Sequence, residues 1–206
     1  MSRLSEYLSV AEFERSPTAA RKGIRNRMGP AQTARARALG RDVFDPLRRV
    51  AGPLRVSSGY RSPKLNRAIG GSATSEHTKG GAVDCETALH ADRGGLSVRE
   101  LFDLARLLRL PFDQAILEFV SKADPMAGWL HLGHRGAGSR GQSIEASRQG
   151  YRAWTKPPAY TPRIRAKVVA FQAARGIDAD GVIGPATRAE SRLCGPTAAP
   201  DAGPTP

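Results

Sequence analysis

The stretch SATSEHTKGGAVDCET, residues 72–87, contains a histidine and an aspartate seven residues apart, His77 and Asp84, with two glycines between them. Its second half, AVDCE, is a short run of the kind that forms a β-strand. Alternate side chains of a strand point to opposite faces, so we expect Val83 and Cys85 to be buried and Asp84 to face a cleft. Glycines let the loop that carries His77 approach this strand closely. The stretch therefore predicts a strand with a His–Asp pair beside it.

Such a pair supplies two of the three protein ligands that a catalytic zinc ion needs, with the fourth position left for water. A third ligand has to come from another segment. In GWLHLGH, residues 128–134, a predicted strand places Trp129 and His131 on one face and two leucines on the other, which makes His131 the better ligand. His90 and His134 are expected to be solvated or paired locally. On spacing alone, an ordinary polar loop remains the alternative.

The surrounding segments alternate between helical and strand patterns. Serine caps predict helix starts at Ser9, Ser62 and Ser97. Apolar residues at helical spacing predict a longer helix that begins at Pro30 and ends near Val50. Strands are predicted over residues 53–60, 82–86, 112–120 and 128–134.

The composition is that of a globular chain with room for one ordinary domain and a smaller one, since it has 206 residues of which 40% are hydrophobic. No apolar run approaches the roughly 18 residues of a membrane span. The first residues, MSRLSEYLSVAEFERS, lack the apolar core of a secretory signal, so we expect synthesis in the cytoplasm. Two cysteines, Cys85 and Cys194, cannot build a disulfide framework.

The formal net charge of +13 predicts a polyanionic partner. Nucleic acid and an anionic bacterial cell envelope are the candidates, and an arginine-rich codon bias is the alternative explanation. The arginines are spread along the chain and form no dense cluster of the kind found on a groove-reading helix. We therefore expect no nucleic-acid partner.

The residues from 58 to 84, SGYRSPKLNRAIGGSATSEHTKGGAVD, resemble the zinc peptidases that include bacterial D-Ala-D-Ala carboxypeptidases and phage L-alanyl-D-glutamate endopeptidases. The family pattern is Ser-x-His-x-x-Gly-x-Ala-x-Asp, followed later by Trp-x-His. The matching residues are Ser75, His77, Gly80, Ala82, Asp84, Trp129 and His131. The resemblance covers about residues 4–145.

This resemblance implies an α+β fold in which helices pack on a small antiparallel sheet. The implied ligands of a Zn²⁺ ion are His77, Asp84 and His131. Arg61, in SGYRS, would hold the substrate or the developing oxyanion, and Ser75 and Trp129 would contact the substrate.

The chain departs from the family at the residue that activates water. Many members carry an acidic residue three positions before the last histidine, where this chain has Gly128. Glu118 is our predicted general base, because it lies on a strand shortly before the Trp-x-His strand. Asp124 and Glu86 are the alternatives.

The C-terminal sequence VVAFQAARGIDADGVIGPATRAE, residues 168–190, resembles a peptidoglycan-binding repeat. The residues that carry this resemblance and are predicted to form a wall-binding module are Phe171, Gln172, Asp180, Gly181, Pro185 and Thr187. The segment is short for such a module, so its first helix is expected to be degenerate or to come from residues 143–155. A helical cap without a ligand is the alternative.

The predicted organisation is a catalytic domain over residues 1–145, a linker over 146–162, an all-α module over 163–194 and a disordered tail over 195–206. The predicted function is zinc-dependent hydrolysis of the peptide stems of peptidoglycan by an enzyme of the endolysin type that cuts L-Ala–D-Glu. A D-Ala-D-Ala carboxypeptidase and a non-catalytic wall-binding protein are the alternatives. We expect a monomer that binds peptidoglycan and anionic envelope polymers, and that reaches the wall through a holin-type release partner.

Overall fold

The computed structural model describes residues 2–89, 93–121, 123–124 and 126–193. His90, Cys194 and the predicted tail lie outside these ranges. The helices are α1 Val10–Glu14, α2 Pro17–Arg21, α3 Pro30–Leu39, α4 Asp45–Ala51, α5 Pro63–Ala68, α6 Val98–Leu107, α7 Pro162–Ala174 and α8 Pro185–Arg192. The strands are β1 Leu54–Ser58, β2 Ala82–Thr87, β3 Gln114–Glu118, β4 Trp129–Gly133, β5 Gln142–Ser147 and β6 Gly150–Ala153. A π-helical turn, Gly40–Phe44, joins α3 to α4, and 3₁₀ turns occupy Glu76–Lys79 and Gly136–Gly138.

The predicted serine caps are confirmed. The side chains of Ser9, Ser62 and Ser97 accept hydrogen bonds from backbone N–H groups in the first turns of α1, α5 and α6. Ser97 also takes part in a full capping box with Glu100. These caps satisfy N–H groups that a helix leaves without partners at its start, so they define where the three helices begin.

In the described part of the chain the strands form one six-stranded sheet, in the order β1-β2-β4-β3-β5-β6. The predicted α+β class is confirmed. The sheet is larger than expected and is mixed, because β3 and β5 are parallel while the other neighbouring pairs are antiparallel.

Strands β5 and β6 are the elements that the sequence did not predict. They occupy the end of the predicted catalytic domain and the start of the predicted linker, and residues up to Ala153 belong to the sheet. Residues 143–155 therefore contribute no helix to the C-terminal module, and that expectation was wrong. β5 carries only Ile144 and Ala146 as apolar residues, and so short an alternation gives a weak strand pattern.

One face of the sheet packs against α6, which contacts β2, β3 and β4. Leu101 and Leu104 of α6 and Leu130 and Leu132 of β4 are fully buried in one core cluster. His131, which lies between Leu130 and Leu132 on β4, points to the opposite face of the sheet. That opposite face carries the predicted ligands, and we call it the metal face.

The helical C-terminal region packs on the rest of the chain. Ile164, Val168 and Phe171 of α7 belong to the same core cluster as the α4 and α6 side chains, and α4 contacts both α7 and α8. Arg49 of α4 donates a hydrogen bond to the carbonyl of Ser191 at 2.8 Å. Among the described residues, no helix is both long and apolar enough to span a membrane.

Candidate metal centre

Two neighbouring strands bring two of the predicted ligands side by side. Asp84 of β2 lies directly opposite His131 of β4 in the antiparallel register. Val83 and Cys85 are fully buried on the other face, as the alternation predicts. Side chains of directly opposed residues lie about 5 Å apart at Cβ, so Asp84 and His131 meet on the metal face.

His77 reaches this pair from the 3₁₀ turn Glu76–Lys79, which precedes β2. Gly80 ends the turn at φ +75°, and a Cβ at this position would lie 2.4 Å from the carbonyl oxygen of Gln32 in α3. Only glycine fits here without moving the backbone. The glycine therefore lets the chain fold back so that His77 approaches Asp84.

Three ligand atoms converge. His77 Nε2 lies 3.2 Å from Asp84 Oδ1 and 3.2 Å from His131 Nδ1, and His131 Nδ1 lies 2.8 Å from Asp84 Oδ1. All three residues are buried. The structure thus brings the three predicted ligands together.

Neighbouring groups orient these side chains. His77 Nδ1 lies 2.7 Å from the carbonyl oxygen of Gly59, so Nδ1 carries the proton and Nε2 keeps its lone pair. Asp84 Oδ2 accepts a hydrogen bond from Arg61 Nη2 at 2.7 Å, and Arg61 Nε donates to Ser58 Oγ at 2.9 Å. Arg61 therefore lies beside the site, and it leaves Asp84 Oδ1 directed at the histidines.

The protonation states suit a metal. Burial lowers the pKa of His77, which favours the neutral imidazole. Burial opposes the ionisation of Asp84, but its interactions with His77 and His131 outweigh this, and the pKa of Asp84 lies far below its usual range. Metal ligands have to be deprotonated, so both groups are in the form that binds a cation.

The donor set fits zinc. Two imidazole nitrogens and one carboxylate oxygen are common zinc ligands, and tetrahedral bonds of 2.0–2.1 Å place ligand atoms about 3.3 Å apart, close to the spacing found here. Three protein donors leave a fourth position for water. Cys85 does not compete, because it faces the core, where burial raises the pKa of its thiol.

Glu118 ends β3 on the metal face, opposite Trp129, while Ile116 is opposite His131. Burial, together with the charge of Asp84, raises the pKa of Glu118. The next residue, Phe119, has φ 53°, so the chain turns sharply directly after the carboxylate. A half-buried acid with a raised pKa beside a metal site is suited to proton transfer at neutral pH.

Gly128 has a steric explanation. It adopts φ +84°, and a Cβ there would lie 2.2 Å from the carbonyl oxygen of Glu118. An acidic side chain at this position does not fit this backbone. The alternative bases are engaged elsewhere: Glu86 is paired with Arg55 at 2.8 Å, and Asp124 accepts from the backbone N–H of Met126 at 2.9 Å.

Ser75 lies at the start of the 3₁₀ turn, two residues before His77, and Trp129 lies on the metal face with its ring centroid 5.3 Å from that of Phe119. His134 is 4% exposed and lies 3.6 Å from Asp42, so the expectation that it is solvated or paired locally was wrong. The contact joins residues remote in sequence, which no local pattern could have indicated.

The predicted wall-binding residues mostly hold their own module together. The two N–H groups of the Gln172 side chain are shared among three acceptors, Asp180 Oδ1, the carbonyl of Val182 and Thr187 Oγ1, each 3.0 Å from Nε2, and the side-chain oxygen accepts from the N–H of Gly181. Phe171 is in the core, and Pro185 opens α8. These contacts build the Asp-Gly turn between α7 and α8.

Comparison with protein families gives two matches. Residues 6–99 match the family described as Peptidase M15, a range that includes His77 and Asp84 and ends before His131. Residues 147–190 match the family described as putative peptidoglycan binding domain. A comparison with curated proteins gave no match.

Proposed function

We propose that this chain, which carries a Peptidase M15 domain at its N-terminus and a peptidoglycan-binding domain at its C-terminus, is a zinc-dependent endopeptidase of the endolysin type. The two domains identify a metallopeptidase that acts on peptidoglycan. The observation that carries the finer proposal is the convergence of His77, Asp84 and His131 on one face of the sheet, with Glu118 beside them.

Each side chain has a distinct task in this proposal. A zinc ion held by the His-Asp-His group would supply a Lewis acid for the scissile carbonyl and lower the pKa of a water. Glu118 accepts a proton from the attacking water and passes it to the leaving amine. Arg61, whose side chain is 20% exposed, orients Asp84 and offers positive charge to the developing oxyanion.

We assign the cleaved bond to L-Ala–D-Glu. Lysis requires a cut inside the stem peptide, whereas removal of a terminal D-Ala leaves the mesh intact. The metal face continues from β4 across β3, β5 and β6, so the surface beside the predicted ligands offers room for several residues of extended peptide. The peptidoglycan-binding domain supports action at the cell wall.

The basic charge extends the proposal to a second partner. A net charge of +13 favours adsorption to anionic polymers of the cell envelope, which raises the concentration of enzyme at its substrate. The catalytic site itself needs no such polymer.

Digestion of purified peptidoglycan tests the proposal. The protein is incubated with the wall as prepared, after chelation, and after chelation followed by zinc, and the products are identified by mass spectrometry. We expect chelator-sensitive release of peptides with a new D-Glu amino terminus, and no release by a His131→Ala variant. Loss of D-Ala alone would establish the carboxypeptidase instead. Wall binding without products from zinc-loaded protein, across several wall chemotypes, would establish a non-catalytic binding protein.

A further inference from the structure

The metal face extends well beyond the predicted ligands. In one row across the sheet, Trp129 of β4 lies opposite Glu118 of β3, Glu118 pairs with Ala146 of β5, and Ala146 lies opposite Tyr151 of β6. Residues paired in register point to the same face. Tyr151 is therefore on the metal face, at the edge strand of the sheet.

A second row forms an apolar floor beside the first. His131 lies opposite Ile116, Ile116 pairs with Ile144, and Ile144 lies opposite Ala153. The strand spacing of about 4.8 Å places β6 about 14 Å from β4, which corresponds to roughly four residues of extended peptide. The floor therefore has the length of a short peptide.

Tyr151 borders this floor with an uncovered aromatic ring. The residue is 70% exposed, and the small side chain of Ala146 separates it from Glu118. Partial burial, Glu118 and Asp84 raise the pKa of Tyr151, while Arg61 lowers it, so its hydroxyl lies within electrostatic reach of the site. The next residue, Arg152, points to the other face and pairs with Glu145.

We propose that Tyr151 is a substrate-binding residue whose ring packs on the stem peptide where the peptide crosses the floor formed by Ile116, Ile144 and Ala153. Aromatic rings provide a large contact area for apolar groups and peptide planes at low entropic cost. The small side chains of a peptide rich in alanine fit between the ring and the floor. The inference rests on the proposed function, since it assumes that stem peptide is the substrate.

The test compares Tyr151→Ala, Tyr151→Phe and the same-strand control Arg152→Ala. A soluble muropeptide that carries a full stem is the substrate for kinetics, and its affinity is also measured in a Glu118→Gln background to separate binding from turnover. For Tyr151→Ala we expect KM and Kd to rise about tenfold while kcat changes by less than about twofold. Tyr151→Phe and Arg152→Ala should stay within about twofold of the parent. Zinc content and the unfolding midpoint should be unchanged in Tyr151→Ala, Tyr151→Phe and Arg152→Ala.

Three outcomes would overturn the assignment. Binding of the muropeptide by Tyr151→Ala with the affinity of the parent would show that the ring makes no contact. An equal loss in Tyr151→Phe would place the contact at the hydroxyl and not at the ring. A wild-type protein that neither binds nor cleaves the muropeptide would refute the proposed function itself and the role of Tyr151 with it.

Discussion

Among single residues, Glu118 is expected to have opposite effects on catalysis and on stability. We expect Glu118→Gln to lower kcat about 10²–10⁴-fold, because an amide cannot accept the proton of the attacking water. Zinc content should not change, since Glu118 is not among the converging ligands. Steady-state kinetics on a soluble muropeptide and metal analysis measure the two quantities. Glu86→Gln is the matched control, and a comparable loss in that variant would identify Glu86 as the base.

Glu118→Gln should also change how the unfolding free energy of the zinc-free protein depends on pH. The pKa of Glu118 is raised in the folded state, so its ionisation disfavours folding, and this penalty grows as the pH rises above the ordinary pKa of a glutamate. Below 4.5, the ordinary pKa of a glutamate, the carboxyl is protonated in both the folded and unfolded states, and the penalty disappears. We expect Glu118→Gln to raise the unfolding free energy of the zinc-free protein at pH 7 and to have little effect near pH 4. Denaturant titrations at both pH values measure this, and a loss of stability at pH 7 would contradict it.

The steric explanation of Gly128 can be tested by substitution. Placing an acid at this position by Gly128→Glu should lower both stability and activity, because the side chain would contact the carbonyl of Glu118 and φ +84° is strained for any residue with a Cβ. A destabilisation of about 1–3 kcal/mol is expected. Thermal unfolding and muropeptide kinetics measure the two effects. Gly138→Ala is the control, since nothing lies within 4 Å of a Cβ there. Higher activity in Gly128→Glu would refute the steric explanation.

Some of the residues in the candidate site could be predicted from the local sequence, and others could not. His77 and Asp84 were predicted because both lie in one short stretch, and His131 because strand alternation places it on the face of Trp129. The carbonyl of Gly59, which orients His77, has no sequence signal, since every residue has a carbonyl group. The contact between His134 and Asp42 joins distant segments and was missed for a similar reason.

At the scale of elements, helices with caps and strands with buried leucines were predictable, and the β5–β6 hairpin was not. β2 and β4 pair through apolar side chains that a pattern can detect, such as Val83 opposite Leu132. All four residues of β6 are exposed, so its place in the sheet depends on backbone pairing with β5 and not on apolar alternation. Backbone pairing carries little sequence information, which explains the omission.

The packing of α7 on α4 should couple the stability of the C-terminal helices to that of the rest of the chain. Phe171 is 4% exposed in the core shared by these helices, so Phe171→Ala should lower the unfolding free energy by about 3–5 kcal/mol. Because the core is shared, we expect one unfolding transition in which peptidase activity and wall binding are lost together. Calorimetry with parallel activity assays tests this. Val182→Ala, at a residue 59% exposed in the same module, should be nearly neutral. Two separate transitions, with the peptidase transition unchanged by Phe171→Ala, would contradict the shared core.

At the scale of the whole molecule, net charge can be read from composition, whereas the docking of the C-terminal helices cannot. The apolar face of α7 indicates that it packs on something, but its partner α4 precedes it by more than a hundred residues. Arg49 bonds to the carbonyl of Ser191, and Arg188 bonds to the carbonyl of Leu107. Each of these bonds joins residues more than 80 positions apart, so no local sequence pattern indicates them.

The high net charge predicts that adsorption to the cell wall and catalysis respond differently to salt. If charge holds the enzyme on anionic envelope polymers, adsorption should weaken with added salt, because ions screen exposed charges beyond about 8–10 Å at physiological ionic strength. Hydrolysis of a soluble muropeptide should change little, since the three predicted ligands are buried and Glu118 is half-buried. Sedimentation with walls and muropeptide kinetics over the same salt series measure the two effects.

A charge variant distinguishes screening from a general effect of salt. Lys22→Glu combined with Arg25→Glu, at exposed positions just after α2, lowers the net charge from +13 to +9. We expect weaker adsorption at low salt, a shallower salt dependence and unchanged kcat on the muropeptide, because neither residue contacts the metal centre. If adsorption changes neither with salt concentration nor in the charge variant, wall binding belongs to the C-terminal module alone. A parallel fall in kcat would instead mean that the basic surface acts within the catalytic site, so that adsorption and catalysis are not separate.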